Sequence, residues 1–514
     1  MSKTPSSKLY QLIHALNSAE KRYFKVFTRG LGGQSGGKYL LLFDVLDAQI
    51  VFDDVLAKKR VYPDEPIESR KYSELKSYLY NLVLRCLQSY DEEGSAMSRL
   101  RSQLQQVRAM FKRGRYSECK ELLEKARKLA LYYEDYTSLI ESLRWIKQVA
   151  YAEMNVVFLS EQLSEIDKEE RKYLAALENL SAYRALFLRL YISIRTQAVL
   201  RNEEHLVHIR AIKNDVLLSD IELSQSHLAR IIFYRIHNLL HYSVADIPNF
   251  HASGKLLLQA MDEKPHLLKE DVSEYISALS NYTMSCGLLE KYEEVGLCLS
   301  KFKEIQTNTI DDKLKIHLLY YSYKFSLCVY TGNFTEGLKA FEEHTEEAKQ
   351  FEGNALERSS LYFYYFYIYF GTGDYNTSLE YLNQWLSMPR GIERQDLQGM
   401  ARMINLIVHY EMGNYLLLES LIRSTYRYLQ RRERLLGYER SILQFLHDAQ
   451  KIASPHDLPQ TFHKLKDSLE ILQQSPTESA MLRYFDIIAW LESKISGIPF
   501  AQVVQRTYLE RGGK

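Results

Sequence analysis

The sequence predicts an all-α protein, a solenoid of stacked antiparallel helix hairpins behind a helical first module. Three observations predict it. Gly and Pro are scarce, 22 and 10 of 514 residues, too few for the many turns of a β-rich chain. Apolar residues recur at helical spacing along most of the chain. A corner of glycine, a polar residue and an aromatic also returns, as Gly332-Asn333-Phe334, Gly373-Asp374-Tyr375 and Gly413-Asn414-Tyr415. One helical hairpin leaves an apolar face bare and needs neighbours stacked on it, so a recurring corner reads as an array.

The chain divides into a helical first module (1–95), a repeat array (96–450) and a C-terminal helical cap (451–514). In the first module, Lys8–Leu16 reads as a short helix. Asn17-Ser18-Ala19-Glu20 supplies a cap and an acidic first turn for a second, Glu20–Thr28. The glycine-rich stretch Gly30–Gly37 follows, then the apolar Lys38–Ile50. After a break at VYPDEP comes a long helix, Glu68–Asp91, with Tyr72, Leu75, Leu79, Leu82, Val83 and Leu87 on one face.

The array starts near Ser98 with Leu100, Leu104, Val107 and Phe111, turns at Gly114-Arg115-Tyr116, and returns through Cys119, Leu123 and Ala126. From Tyr292 the corner aromatics are spaced 42, 41 and 40 residues apart, and Tyr116 lies four periods of 44 before Tyr292. Weaker corners fall near Val157-Phe158, Arg201-Asn202-Glu203 and Asn249-Phe250. Eight hairpins with a repeat of 40–45 residues are expected. After Asp448 the pattern changes. Gln460–Gln473, Thr477–Ser496 and a last short helix with Pro499 in its first turn would close the open end.

These corners resemble the tetratricopeptide-repeat (TPR) superfamily, whose signature is Gly, any residue, Tyr or Phe, then a small residue three further on and apolar positions beyond. Gly114, Tyr116, Cys119, Leu123 and Ala126 carry it, as do Gly373, Tyr375, Ser378, Leu382 and Trp385. Gly332, Phe334, Gly337 and Phe341 keep most of it. The repeat is longer than the usual ~34 residues, which implies longer helices on TPR-like corners. The chain also has the look of poorly characterised bacterial TPR-like proteins. The resemblance implies a right-handed α-solenoid whose concave groove binds a protein or peptide.

Composition narrows the function. Apolar residues at 46% allow a large core, and a net charge of +1 argues against a general nucleic-acid or membrane-surface binder. The five cysteines are scattered without metal-ligand spacing, as expected of reduced core thiols. The N-terminus MSKTPSSK has no signal-peptide core, and no apolar run reaches the roughly 18–20 residues of a membrane span. A cytoplasmic protein with no membrane partner is expected.

No catalytic or cofactor signature appears, so no enzyme, no cofactor and no metal are expected. Gly32-Gly33-Gln34-Ser35-Gly36-Gly37-Lys38 spells a phosphate-binding loop as far as the lysine. Tyr39, however, stands where Ser or Thr should hold magnesium, and a helix, not a strand, precedes the loop. It reads as an inter-helix connection. Arg423, Arg427 and Arg431 share one helix face and form a basic stripe suited to phosphates or an acidic peptide, or a plain solvated face. The 39 tyrosines cluster in Tyr320–Tyr330 and Tyr362–Phe370. In the superfamily register Tyr362, Tyr365, Phe366 and Tyr369 pack between helices. Phe363, Tyr367 and Phe370 then face the groove, where aromatics give large contact area at low entropy cost.

A protein or peptide partner in that groove is the favoured reading. The alternative is a peptide-sensing transcription regulator whose N-terminal pair of helices binds DNA as a helix-turn-helix, with Lys21, Arg22, Lys25 and Arg29 toward phosphate.

Overall fold

The computed structural model describes residues 7–29, 37–63, 68–197, 209–269, 271–307, 309–351, 361–387, 395–430, 436–449, 458–475 and 485–512. Among them helices are the only regular secondary structure, and no helix is long and apolar enough to cross a membrane. The chain forms two compact units, residues 1–182 with 225–228, and residues 183–224 with 229–514.

The first unit opens with Lys8–Ala15, Ser18–Arg29, Lys38–Asp47, Asp54–Val61 and Ser69–Gly94. Asn17 and Glu20 cap the second of these reciprocally. The Glu20 N–H donates to Asn17 Oδ1 (2.9 Å) and the Asn17 N–H to Glu20 Oε2 (2.8 Å), satisfying two otherwise orphan donors. Phe24 lies on Phe43 with ring centroids 4.4 Å apart, inside a core of Ile13, Leu42, Leu46, Leu79 and Val83. Two hairpins follow, Ala96–Phe111 with Tyr116–Tyr132, then Tyr136–Ala152 running into Val156–Gln197, a helix whose residues from 183 onward belong to the second unit. That last element corrects the expected repeat count. Corners near Val157 and Arg201 required a connection midway, yet one helix of 42 residues runs through. It contains no Gly or Pro, so nothing breaks it. The expected corner at Arg201-Asn202-Glu203 lies outside the described residues.

In the second unit, helices pair as His227–Ser243 with Ile247–Glu263, Val272–Leu288 with Tyr292–Glu304, Ile310–Thr331 with Phe334–Ala348, Tyr362–Thr372 with Tyr375–Ser387, and Gln395–Glu411 with Tyr415–Gln430. From Val272 onward the second helix of each pair also packs on the first helix of the next. First helices touch one another too, Val272–Leu288 on Ile310–Thr331 and that helix on Tyr362–Thr372. Gly437–Ala449, Leu458–Leu472, Ile487–Ser496 and Phe500–Glu510 complete the unit.

One corner geometry recurs through both units. A residue with positive φ ends a helix, and the next residue's N–H reaches back to a carbonyl five residues earlier, as from Asn333 to Cys328 and from Asp374 to Tyr369. This is the Schellman ending. Gly114, Gly332, Gly373 and Gly413 supply it where the sequence shows glycine. Glu134, Met154, Ala245 and Glu290 supply it with φ of 53–58° where glycine is absent. The residue after the turn often caps the next helix. Asp374 accepts from the Thr377 N–H, and Asp135 from Ser138, both at 3.1 Å.

The small residue after each corner aromatic has a packing cause. Ser378 donates to the Phe366 carbonyl at 3.0 Å and Cys119 to that of Val107 at 3.5 Å, each across its own hairpin. A Cβ on Gly337 would come within 3.1 Å of Ile368. A larger side chain would push the two helices of a hairpin apart at Cys119 and Ser378, and neighbouring hairpins apart at Gly337.

Candidate functional site

The aromatic helix Tyr362–Thr372 is built to be enclosed. Tyr365, Phe366, Tyr367, Ile368 and Phe370 are all buried. On one side Tyr365 meets Phe341 (4.8 Å), Tyr381 (5.2 Å) and Phe325 (5.6 Å), and Tyr369 meets Phe341 (5.7 Å) and Tyr381 (5.7 Å). On the other side lie the three residues assigned to the groove.

Two of these three are covered by the chain's own C-terminal segment. Phe485 stands 5.1 Å from Tyr367 and 5.0 Å from Phe370, and Phe500 stands 6.3 Å and 5.3 Å from the same two rings. The Asp486 N–H donates to Tyr367 Oη at 2.8 Å. Tyr367 is 4% exposed and Phe370 1%. Burial, with the Asp486 carboxylate nearby, pushes the Tyr367 phenol well above its ordinary range. Phe363 is half-buried against Trp385 (5.3 Å) and Phe366 (5.6 Å). An open aromatic wall at Tyr367 and Phe370 therefore does not describe this structure. The sequence carried the face but not its occupant, because Phe485 and Phe500 lie more than 100 residues away.

The occupant is the helix Phe500–Glu510, which runs across the corner ends of successive hairpins. Phe500 sits against Phe334 (5.8 Å). Ala501 and Gln505 lie over the Gly332 corner. Tyr508 meets Tyr292 edge-on at 5.5 Å, and Arg511 pairs with Glu290 at 3.4 Å. The preceding helix, Ile487–Ser496, is anchored by Glu411. This carboxylate is 5% exposed and accepts from Trp490 Nε1 at 2.7 Å and from Lys494. Burying a Phe or Trp side chain is worth about 1.5–3 kcal/mol, and a charge-assisted hydrogen bond about 1.5–3 kcal/mol, so the segment is firmly seated.

The other sequence candidates separate. Arg423 is exposed and pairs with Glu419 at 3.1 Å, while Arg427 is exposed and donates to the Arg423 carbonyl at 3.3 Å. Arg431 lies outside the described residues, so only two of the three stripe residues are placed together. Of the glycine-rich loop, residues 30–36 lie outside the described residues, and Lys38 Nζ stands 4.1 Å over the Tyr62 ring. In the proposed DNA-facing helix, Lys21 pairs with Asp47 at 2.7 Å and Lys25 with Asp44 at 2.8 Å. Those two cations already face carboxylates of the neighbouring helix.

The structure also assembles a group that sequence spacing hid. His251, Cys286 and Glu294 come from three successive helices, and their donor atoms all lie within 4.8 Å of one another. At separations of 35 and 8 residues they match no ligand motif, and only the stacking of hairpins brings them together.

Comparison of the chain with protein-family models, with curated proteins and with solved structures returns no match in any of the three.

Proposed function

We propose that the chain is a non-enzymatic, TPR-like scaffold, a right-handed α-solenoid that binds a protein or peptide partner by seating a helix across its hairpin corners. The observation that carries the reading is the helix Phe500–Glu510, held at one end by Phe334, Tyr367 and Phe370 and at the other by Tyr292 and Glu290. It is an intramolecular example of helix-in-groove recognition, with an aromatic anchor followed by spaced side chains on one face. A partner helix of the same chemistry enters by exchange with it. The TPR-like corners supply the frame, because each presents a tight turn and an aromatic at the same end of its hairpin.

The test uses a full-length Val503→Asp variant, which places a charge at a buried position and loosens the native helix. A fluorescent peptide spanning residues 497–512 should bind this variant saturably and bind the wild type far more weakly. If the variant keeps its helical circular dichroism and the peptide binds neither protein, the corner face is not a helix receptor and the reading fails.

A further inference from the structure

The His251, Cys286 and Glu294 group has the chemistry of a metal centre. His251 projects from Ile247–Glu263, Cys286 from Val272–Leu288 and Glu294 from Tyr292–Glu304, so three rigid helices fix the donors. His251 Nε2 and Glu294 Oε2 are 3.1 Å apart, and Cys286 Sγ is 3.8 Å from the same carboxylate oxygen. These two separations are of the order found between ligands of one tetrahedral ion with metal–donor lengths of about 2.0–2.3 Å, and all three donors lie within 4.8 Å of one another. Cys286 is fully buried and His251 nearly so, while the Glu294 side chain keeps a path to solvent at 32% exposure.

A cation already rests on two of the donors. Lys291 Nζ is 3.3 Å from His251 Nε2 and 3.2 Å from Glu294 Oε1. The hydrogen bonding around Nε2 is in conflict. Its contact with Glu294 needs a proton on Nε2, and its contact with Lys291 needs a lone pair there, and one neutral tautomer cannot supply both. A metal ion resolves the conflict, since lone pairs on nitrogen and carboxylate oxygen then point at one centre. Tyr282 donates to the same carboxylate oxygen and would orient it from behind, as outer partners of metal ligands do. Tyr282, His251 and Lys291 all hold the Glu294 carboxylate in place, so its oxygens are already oriented toward the other two donors.

We propose that His251 Nε2, Cys286 Sγ and a Glu294 carboxylate oxygen form a three-ligand site for a zinc-class divalent ion, with Lys291 as the competing cation. A thiolate and an imidazole select the zinc–cobalt–copper group over magnesium and calcium. The charges balance: the Cys286 thiol gives up its proton, the Lys291 ammonium swings out to solvent, and two anionic ligands with one neutral imidazole neutralise the dication. Three protein ligands leave a fourth position on the solvent side, where Lys291 now stands.

Cobalt(II) titration of the reduced full-length protein tests this. One equivalent should give a thiolate-to-cobalt charge-transfer band and the intense visible bands of a four-coordinate ion, both erased by zinc(II). Cys286→Ala should lose the charge-transfer band. Glu294→Gln should keep that band while weakening binding. Lys291→Met, at a partly exposed position, should tighten binding by roughly tenfold because it removes a like charge beside the ion. A weak six-coordinate spectrum in the wild type would overturn the site. So would a charge-transfer band unchanged in Cys286→Ala, or looser binding in Lys291→Met. Should Cys286→Ala fail to fold, the wild-type spectrum and the Lys291→Met shift decide the matter by themselves.

Discussion

The Gly332 corner is closed by the backbone of Gln505. A Cβ built on Gly332 would lie 2.6 Å from the Gln505 nitrogen and 2.9 Å from the Ala501 carbonyl oxygen. Gly332 thus meets two demands at once, a φ of +76° and room for the C-terminal helix. Gly373 meets only the first, with φ +85° and nothing within 4 Å of its Cβ position. The pair separates backbone strain from helix docking. Gly373→Ala should cost about 1–2 kcal/mol, the left-handed penalty alone. Gly332→Ala should cost about 1–3 kcal/mol more, because a backbone cannot yield as a side chain can. Urea unfolding measures both, and faster amide exchange over residues 500–510 should appear only in Gly332→Ala. Equal costs without that exchange change would show that the helix is not pressed on the corner.

Met154 and Ala245 hold positive φ without glycine, and both are exposed. Glu134 and Glu290 do the same, but Glu134 accepts from the Leu228 N–H at 3.0 Å and Glu290 pairs with Arg511. Only the first two are therefore clean tests. Met154→Gly and Ala245→Gly should each stabilise the protein by about 0.5–1 kcal/mol, since glycine relieves the left-handed strain at the end of a helix. A rise in the urea midpoint checks this, and a fall would mean that unfolded-state entropy outweighs the strain.

Legibility in the sequence followed what glycine and aromatics mark. Gly114, Gly332, Gly373 and Gly413 announce their corners, and Asn17 with Glu20 announces a helix start. Glu134, Met154, Ala245 and Glu290 adopt the same left-handed ending without a compositional sign. The 42-residue helix Val156–Gln197 was hidden for the opposite reason, as an expected break had no breaker to make it. At the site, the split of Tyr362–Phe370 into two faces follows from helical spacing. What covers the second face does not, because Phe485 and Phe500 arrive through tertiary folding. His251, Cys286 and Glu294 are adjacent only once hairpins stack.

Glu411 is the polar anchor of the C-terminal segment. Its carboxylate accepts from the Trp490 indole and the Lys494 ammonium while nearly buried. Glu411→Ala leaves the buried Trp490 indole without its acceptor and returns the partly exposed Lys494 ammonium to solvent, and should cost about 1–3 kcal/mol. Glu411→Gln keeps an acceptor for Trp490 and should cost markedly less. Trp490 fluorescence should redden in the alanine variant as solvent reaches the ring. Near-identical stability of the two variants would mean that packing alone seats the helix.

Acid should loosen the second unit before it titrates carboxylates. His237, His241, His317 and His409 all have pKa values lowered from 6.5, in each case first by burial. A histidine whose folded value lies below its unfolded value binds more protons when unfolded. Its stabilising contribution is present above pH 6.5 and is lost as pH falls through the folded value. His409 also has a specific loss, since Asn414 Nδ2 contacts its Nδ1 at 3.2 Å, and a proton on that nitrogen turns an acceptor into a donor facing a donor. The urea midpoint should therefore fall between pH 7.5 and pH 5. His409→Gln, which offers Asn414 an acceptor that does not titrate, should flatten part of that fall. A midpoint that holds or rises over this range would show that these imidazoles are charged or solvated in the folded protein.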